Sequence, residues 1–326
     1  MSARAELIED RGEAAAGPEF FRSRQFLDAE GATHTLRIET DEGELLAPLV
    51  VREIGAGPER DAVSPYSFPG IVPAAEGPDA PYGAEQAFAP APPAGLDPAS
   101  IDFSATGLVS LFVRHRLGPP LLAGSSPRNL VQIADPALPA KSRPSDRRQV
   151  RRNLEAGYEL SLVPGPETTP EQRAGFIAAY EQTMRRTDAS PHYFFGPAYF
   201  DRILAAPRTW LALAHAGDGT LSAASIAVVS DGFLHYYLSG SADSHLRDSP
   251  MKNVVARLVE HAAELGLPLN LGGGFSDGDA LEEFKRGFAN RTLRWHTSEI
   301  VCDESRYAAL SEGREAGGYF PAYRAS

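Results

Sequence analysis

Residues 35–40 alternate apolar and polar side chains, and residues 44–54 run mostly apolar, which predicts two strands joined by a turn at Asp41-Glu42-Gly43. Residues 107–116 and 129–134 read as two further strands. Beyond them the pattern is more regular. A helix is expected over 146–157, closed by Gly157, then a strand over 158–163. A longer helix over 169–187 begins at Pro170, and a shorter one follows over 197–206. Residues 210–216, 222–230 and 232–241 predict a meander that turns at Gly217-Asp218-Gly219 and Asp231-Gly232. A helix over 250–265 closed by Gly266, a strand over 268–271, a short helix over 281–288 and a strand over 293–302 complete the pattern. This order suits a mixed α/β fold (α+β in its segregation of strands) with a partly open sheet. Residues 55–100 are rich in Pro, Gly and Ala and lack a period, so they are expected to carry function or to move. Residues 1–20 are expected to form a loosely packed tail.

Composition sets the scale. The 326 residues are 43% hydrophobic and 23% charged, enough for an ample core in one large domain or two ordinary ones. No apolar run approaches the roughly 20 residues of a membrane span. Glu6, Glu9, Asp10 and Glu13 interrupt any signal-like pattern near the start, which places the expected location in the cytoplasm. Cys302 is the single cysteine, in an apolar strand where a small buried hydrophobe is the expectation, and the eight histidines lack ligand spacing, so no metal is expected. A net charge of −12 disfavours general polyanion binding. It leaves room for a local patch: Lys141, Arg143, Arg147, Arg148, Arg151 and Arg152 are accompanied by one acid, Asp146. With Ser145 as a helix cap, Arg147/Arg151 and Arg148/Arg152 share a face, repelling one another unless a phosphate partner is present. The alternative is a solvated face.

Candidate chemistry concentrates near the end. Leu269-Asn270-Leu271-Gly272-Gly273-Gly274 is a short strand running into three glycines, and Phe284-Lys285-Arg286-Gly287-Phe288 follows on a brief helix. Glycines let backbone approach a bound molecule, and a fixed cation beside them suits an oxyanion that develops during acyl transfer. The alternative is a Gly-rich strand exit with a solvated basic turn. In the strand His235-Tyr236-Tyr237 the two tyrosines are expected on opposite faces, with His235 beside Tyr237 as a general base or as a satisfied strand histidine. Tyr66 and Phe68 frame an acceptor pocket or pack a turn. Arg185 and Arg186 complement the end of their helix or hold a phosphate, and Tyr193-Phe194-Phe195 is expected in the core.

The order of elements, with His235-Tyr236-Tyr237-Leu238-Ser239-Gly240-Ser241, Asn270-Leu271-Gly272-Gly273 and Glu283-Phe284-Lys285-Arg286-Gly287-Phe288, resembles the Fem-like branch of the N-acetyltransferase (GNAT) superfamily. Tyr319-Phe320-Pro321-Ala322-Tyr323-Arg324 adds to the resemblance, which is clearest over residues 147–324. The loop from Asp61 to Gly70 and the strand Leu111-Phe112-Val113-Arg114 resemble related acetyltransferase-domain proteins. The resemblance implies tandem GNAT-like domains, each a mixed, mostly antiparallel sheet flanked by helices. The first would span 21–144 on the acceptor side, the second 145–303, and residues 304–326 would return to the first. It also implies transfer of an acyl or aminoacyl group to a small-molecule or peptide-like amine or hydroxyl, without a bound cofactor. In Fem-type enzymes the donor is aminoacyl-tRNA and the lysine of the Phe-Lys-Arg run lies at the reacting carbonyl, which carries over to Lys285, with Phe284 shaping the site. Tyr236, Gly272, Gly273 and Arg286 would touch substrate, and Arg147, Arg148, Arg151 and Arg152 the tRNA.

One departure bears on the donor. Ordinary members of the superfamily hold the pyrophosphate of coenzyme A on a glycine-bearing turn ahead of a helix. The corresponding stretch here, Ser249-Pro250-Met251-Lys252-Asn253, has no glycine, and Pro250 removes an N–H donor. Aminoacyl-tRNA is therefore the expected co-substrate and acyl-CoA the alternative. An inactive binding module of the same fold is the third reading.

Overall fold

The computed structural model describes residues 3–74, 83–90, 95–315 and 317–325. The chain divides into two compact units, Met1–Arg128 with Arg294–Ser326, and Asn129–Leu293.

The first unit starts with β1 (Ala3–Ile8) and α1 (Arg24–Glu30), then β2 (His34–Thr40), β3 (Gly43–Glu53) and β4 (Arg60–Val63). A short β5 (Val72–Pro73), α2 (Ala84–Phe88), β6 (Ile101–Asp102) and β7 (Leu108–Arg114) follow. Its sheet runs β6-β1-β2-β3-β4-β7-β14, where β14 (Arg291–Val301) pairs antiparallel with β7. The β1–β6 and β4–β7 pairs are parallel, and the β2–β3 hairpin closes at Thr40 opposite Gly43. The expected loose tail is in part a strand. Ala3 and Ala5 are buried while Arg4 faces out, and Glu6 pairs with Arg37 of β2, so charged residues alternate with small apolar ones. Leu36, Ile38, Leu49, Leu111 and Val113 form the core. Of the aperiodic stretch 55–100, residues 75–82 and 91–94 lie outside the described residues.

A buried carboxylate ties this unit's distant parts together. Asp61 on β4 is held by Arg52 of β3 at 2.9 Å and by Arg324 at 2.5 and 3.1 Å, and it accepts the Tyr323 hydroxyl at 3.2 Å. Tyr323 also lies 2.6 Å from the Ser110 hydroxyl of β7 and packs near α8 (Glu304–Ser311). Burial pushes the Tyr323 phenol well above its usual range.

The second unit comprises β8 (Ser126–Ala134), α3 (Pro144–Glu155), β9 (Glu159–Pro164), α4 (Pro170–Arg186) and α5 (Pro197–Ala205). The meander β10 (Thr209–His215), β11 (Leu221–Ser230) and β12 (Phe233–Ser241) follows, then α6 (Met251–Leu265), β13 (Leu269–Gly272) and α7 (Ala280–Arg286). The strand order is β8-β13-β12-β11-β10-β9, and β12–β13 is its parallel pair. The expected border at 144 placed residues 129–134 in the first domain. Instead β8 pairs with β13, because the Pro-rich, basic stretch behind it is a loop inside the unit rather than a linker. Residues 294–303, expected in the second domain, fall in the first unit together with 304–326.

Local rules account for most helix ends. Thr169 and Gln172 form a capping box ahead of Pro170, and Gly266 closes α6 in a left-handed conformation. Helix α3 starts two residues earlier than Ser145 capping would require: Arg143 is the cap and Pro144 takes the first turn. Val254, Val255, Leu258 and Ala262 of α6 pack on Ala212, Ala214, Ala227 and Leu234 of the sheet. Phe176 and Tyr180 of α4 meet Phe200 of α5, which together with Phe195 forms an aromatic cluster.

Helix α4 lies so close to β12 that a Cβ at Gly240 would sit 2.4 Å from the backbone at Ala179 and Tyr180. Gly240→Ala must push helix from sheet and is expected to cost about 1–3 kcal/mol. Urea unfolding that leaves the midpoint unchanged would contradict the close packing.

Candidate active site

The site is built where β13 leaves the sheet. Asn270 occupies a buried strand position, which costs free energy unless its amide is satisfied. Its Oδ1 accepts the Gly272 N–H at 2.9 Å, so its Nδ2 donates to His235 Nδ1 at 3.0 Å. The other ring nitrogen of His235, Nε2, then carries the hydrogen and donates to the Ser230 carbonyl at 3.1 Å. A chain of bonds thus runs from β11 through β12 to the backbone of Gly272, whose φ of +76° favours glycine.

Past Gly272 the backbone is crowded. A Cβ at Gly273 would stand 2.7 Å from the Leu130 carbonyl, and one at Gly274 would stand 2.2 Å from the Asp279 carboxylate. Asp279 caps α7 through the Glu282 N–H at 2.7 Å and also accepts the Phe275 and Ser276 N–H groups at 2.6 and 3.1 Å. These backbone donors hold its carboxyl below the usual range. Asn129 donates to the Gly274 and Phe275 carbonyls at 3.0 and 3.1 Å, anchoring the segment to β8.

Lys285 enters this loop from α7. It is 8% exposed, and its Nζ donates to the Gly273 carbonyl at 2.6 Å, close to where a Cβ on Gly272 would be. Burial lowers its pKa to about 8, with the Asp279 charge opposing the shift. An ammonium has three donors, and Gly273 takes one; no other partner of Nζ is found among the described residues. The geometry therefore offers a positioned cation whose N–H groups can meet a developing oxyanion.

Gly287, directly after this helix, is explained by Asp146. A Cβ there would lie 2.5 Å from the Asp146 carboxylate, which is buried and ion-paired with Lys252 at 2.9 Å. The one acid within the basic run is thus structural.

The other expected site residues separate. Phe284 packs on the α6 core cluster and meets Phe288 edge-on at 5.8 Å. Arg286 is ion-paired with Glu282 at 3.0 Å and Glu283 at 3.3 Å. Tyr236 joins the same core cluster and donates to Ser239 at 2.6 Å, its phenol pushed up to about 12 by burial. The register of β12 on β11 shifts at Tyr237, whose hydroxyl lies 2.6 Å from that of Tyr199 on α5. His235 has both nitrogens engaged and its pKa lowered to about 4 by burial, which suits positioning rather than proton abstraction. In the first unit, Phe68 packs edge-on against Phe21 and Trp295, and Glu30 holds the Tyr66 N–H at 2.8 Å, so Phe68 belongs to a packed turn. On α3, Arg147 donates to Ser142 and Arg151 faces Glu155 at 3.8 Å, while Arg148 and Arg152 have no partner among the described residues.

Asn270, Asn129 and Asp279 are the functional supports that sequence reasoning left without a role. The available signal was Asn270 itself, since asparagine is depleted within apolar strands.

The turn ahead of α6 bonds part of its own backbone. Ser249 adopts φ +48°, the Lys252 N–H donates to Ser249 at 3.0 Å, and the Asn253 N–H donates to Pro250 at 2.9 Å. Asn153 of α3 donates to the Asp248 carbonyl at 2.8 Å and to Asn253 Oδ1 at 2.7 Å, and Asn253 returns a bond to the Val150 carbonyl at 3.1 Å.

His235 gives a pH test of the bond chain. Its folded pKa lies below the free value of 6.5, so it disfavours protonation and stability is lost as pH falls from about 6.5 toward 4. His235→Gln is expected to lower the melting temperature at pH 7 and to flatten that acid dependence. An identical slope in variant and parent would dismiss the neutral, doubly bonded ring.

Residues 140–286 match the family model described as an acetyltransferase (GNAT) domain. No functionally curated protein matches the chain in sequence. Among solved structures, FemX aligns over 93% of this chain and 99% of its own, with a TM-score of 0.60 at 11% identity. L-PGS from Bacillus licheniformis aligns over 86% of this chain and 87% of its own, with a TM-score of 0.54 at 11% identity. The C-terminal domain of an inferred lysylphosphatidylglycerol synthetase from Agrobacterium fabrum aligns over 91% and 92%, with a TM-score of 0.54 at 14% identity. At these identities the likeness is one of fold. Residues 140–286 thus carry a GNAT acetyltransferase domain, and the fold of the chain is similar to that of FemX.

Proposed function

We propose that the protein transfers an aminoacyl group from aminoacyl-tRNA to an amine on a small-molecule or peptide-like acceptor. The observation that carries this reading is the internally bonded turn ahead of α6. The Lys252 and Asn253 N–H groups, which a coenzyme A pyrophosphate would need, are spent on Ser249 and Pro250. Arg148 and Arg152 supply unpaired cations for RNA phosphates, a local attraction that survives a net charge of −12 because screening confines each field to about 8–10 Å.

In the reaction the acceptor amine attacks the ester carbonyl. The tetrahedral oxyanion is met by the Lys285 ammonium, the ester C–O bond breaks, and the tRNA leaves with its terminal hydroxyl while the nitrogen loses a proton and the amide forms. The ester is already activated, so orientation and oxyanion stabilisation carry the acceleration. The acetyltransferase description of the matching family model favours a second reading, an acyl-CoA-dependent N-acyltransferase.

The two donors are separated by supplying mixed amines with either charged tRNA or acetyl-CoA. Product from charged tRNA, abolished by RNase, is the expected outcome; consumption of acetyl-CoA alone would replace this reading with the second. Lys285→Ala is expected to lower turnover about 10²–10³-fold, the loss typical of one oxyanion donor. Because Lys285 is charged below about pH 8, the parent rate should decline above that pH, and Lys285→Arg should lose that descending limb. Arg148→Glu with Arg152→Glu is expected to weaken tRNA binding and to shrink the slope of log affinity against log salt by about 1–2. An unchanged slope would remove this face of α3 from the RNA interface.

A further inference from the structure

Helices α3 and α6 and the loop after β8 enclose a half-open groove of about 580 Å³, within the roughly 300–1,000 Å³ of ligand sites. Its walls are apolar: Val150 and Leu154 from α3, Ala256, Val259 and Ala263 from α6, and Phe288 at the base. Two leucines at the groove, Leu138 and Leu154, are 39% and 47% exposed and extend its apolar surface to the lip. Three cations also line it: Lys141, Arg147 and Arg151. Two acids are present, and both have basic partners elsewhere: Asp135 pairs with Arg291 at 3.1 Å and Glu260 faces Arg257 at 3.8 Å. Lys141 has no partner among the described residues. Lys285 is not among the lining residues, so this site is distinct from the acyl-transfer centre.

We propose that the groove binds a single-chain anionic lipid. The alkyl chain lies along the walls of α3 and α6, and the phosphate-type headgroup is met by Lys141, Arg147 and Arg151. Exposed leucines beside three cations, of which Lys141 has no partner among the described residues, fit an amphiphile better than either a purely apolar or a purely ionic ligand. Nucleic acid would use the cations and leave the apolar floor in water. The groove lies wholly within the second unit and does not depend on the nature of the acyl donor.

Dodecyl phosphate, kept below its micelle threshold, is the probe, with dodecanol and inorganic phosphate as controls in calorimetry on the full chain. One saturating equivalent of dodecyl phosphate is expected, with dodecanol about tenfold weaker or worse and no displacement by inorganic phosphate. Val259→Trp, which fills the groove, should reduce affinity by about tenfold or more. Because that change may disturb packing, Leu154→Glu on the exposed lip serves as the second variant and is expected to do the same without shifting the melting temperature. Lys141→Glu with Arg147→Glu should weaken dodecyl phosphate and leave dodecanol unchanged. Absence of saturable binding, equal affinity for dodecanol, or indifference to Leu154→Glu would each overturn the proposal.

Discussion

An ammonium taken out of water loses hydration that protein groups must replace, at a cost of several kcal/mol when they replace it incompletely. Lys285 is held in that condition by one short bond to the Gly273 carbonyl, and much of the second unit is arranged to keep that carbonyl in place. Asn270 fixes Gly272 from one side, Asn129 fixes Gly274 from another, and Asp279 gathers the next amides while capping the helix that carries the lysine. The glycines are small because Leu130 and Asp279 occupy the space their side chains would need. Conformational freedom is thus removed from a loop that would otherwise be mobile, and a positioned cation results.

A second constraint shapes the unit's other end. The paired amides of Asn153 and Asn253 lock α3 onto the start of α6, with Asp146 and Lys252 as a buried ion pair beside them. Unsatisfied, such groups would each cost about 1–3 kcal/mol; paired, they specify one register between two helices. The apolar groove lies between the same two helices, farther along.

Periodicity and turn chemistry made most of the second unit legible. Pro170, Gly266 and the Asp231-Gly232 turn mark ends that the structure keeps, and the three strands of the meander form where they are expected. The pairing of Lys285 with the glycine segment was also foreseeable, because few other roles suit three glycines followed by a helix-borne cation. What escaped was long-range. The strand β1 lies where a loose tail was expected, β8 was assigned to the first domain ahead of a proline-rich loop, and the choice between base and satisfied strand histidine at His235 turns on Asn270 and Ser230, of which Asn270 is remote in sequence. Phe68 and Phe284 looked like pocket walls, yet both are ordinary packing residues.

The neutralisation of Asp61 bears on how the chain is made. Its two guanidinium partners are Arg52 and Arg324, separated by the whole of the other unit. During vectorial synthesis the continuous unit can close as soon as it clears the ribosome. The discontinuous one must wait, its sheet lacking β14 and its buried acid half-matched, until β14 and Arg324 have been made. Exposed sheet edges invite pairing with other chains in that interval, so slow translation through the final segment is a window for aggregation.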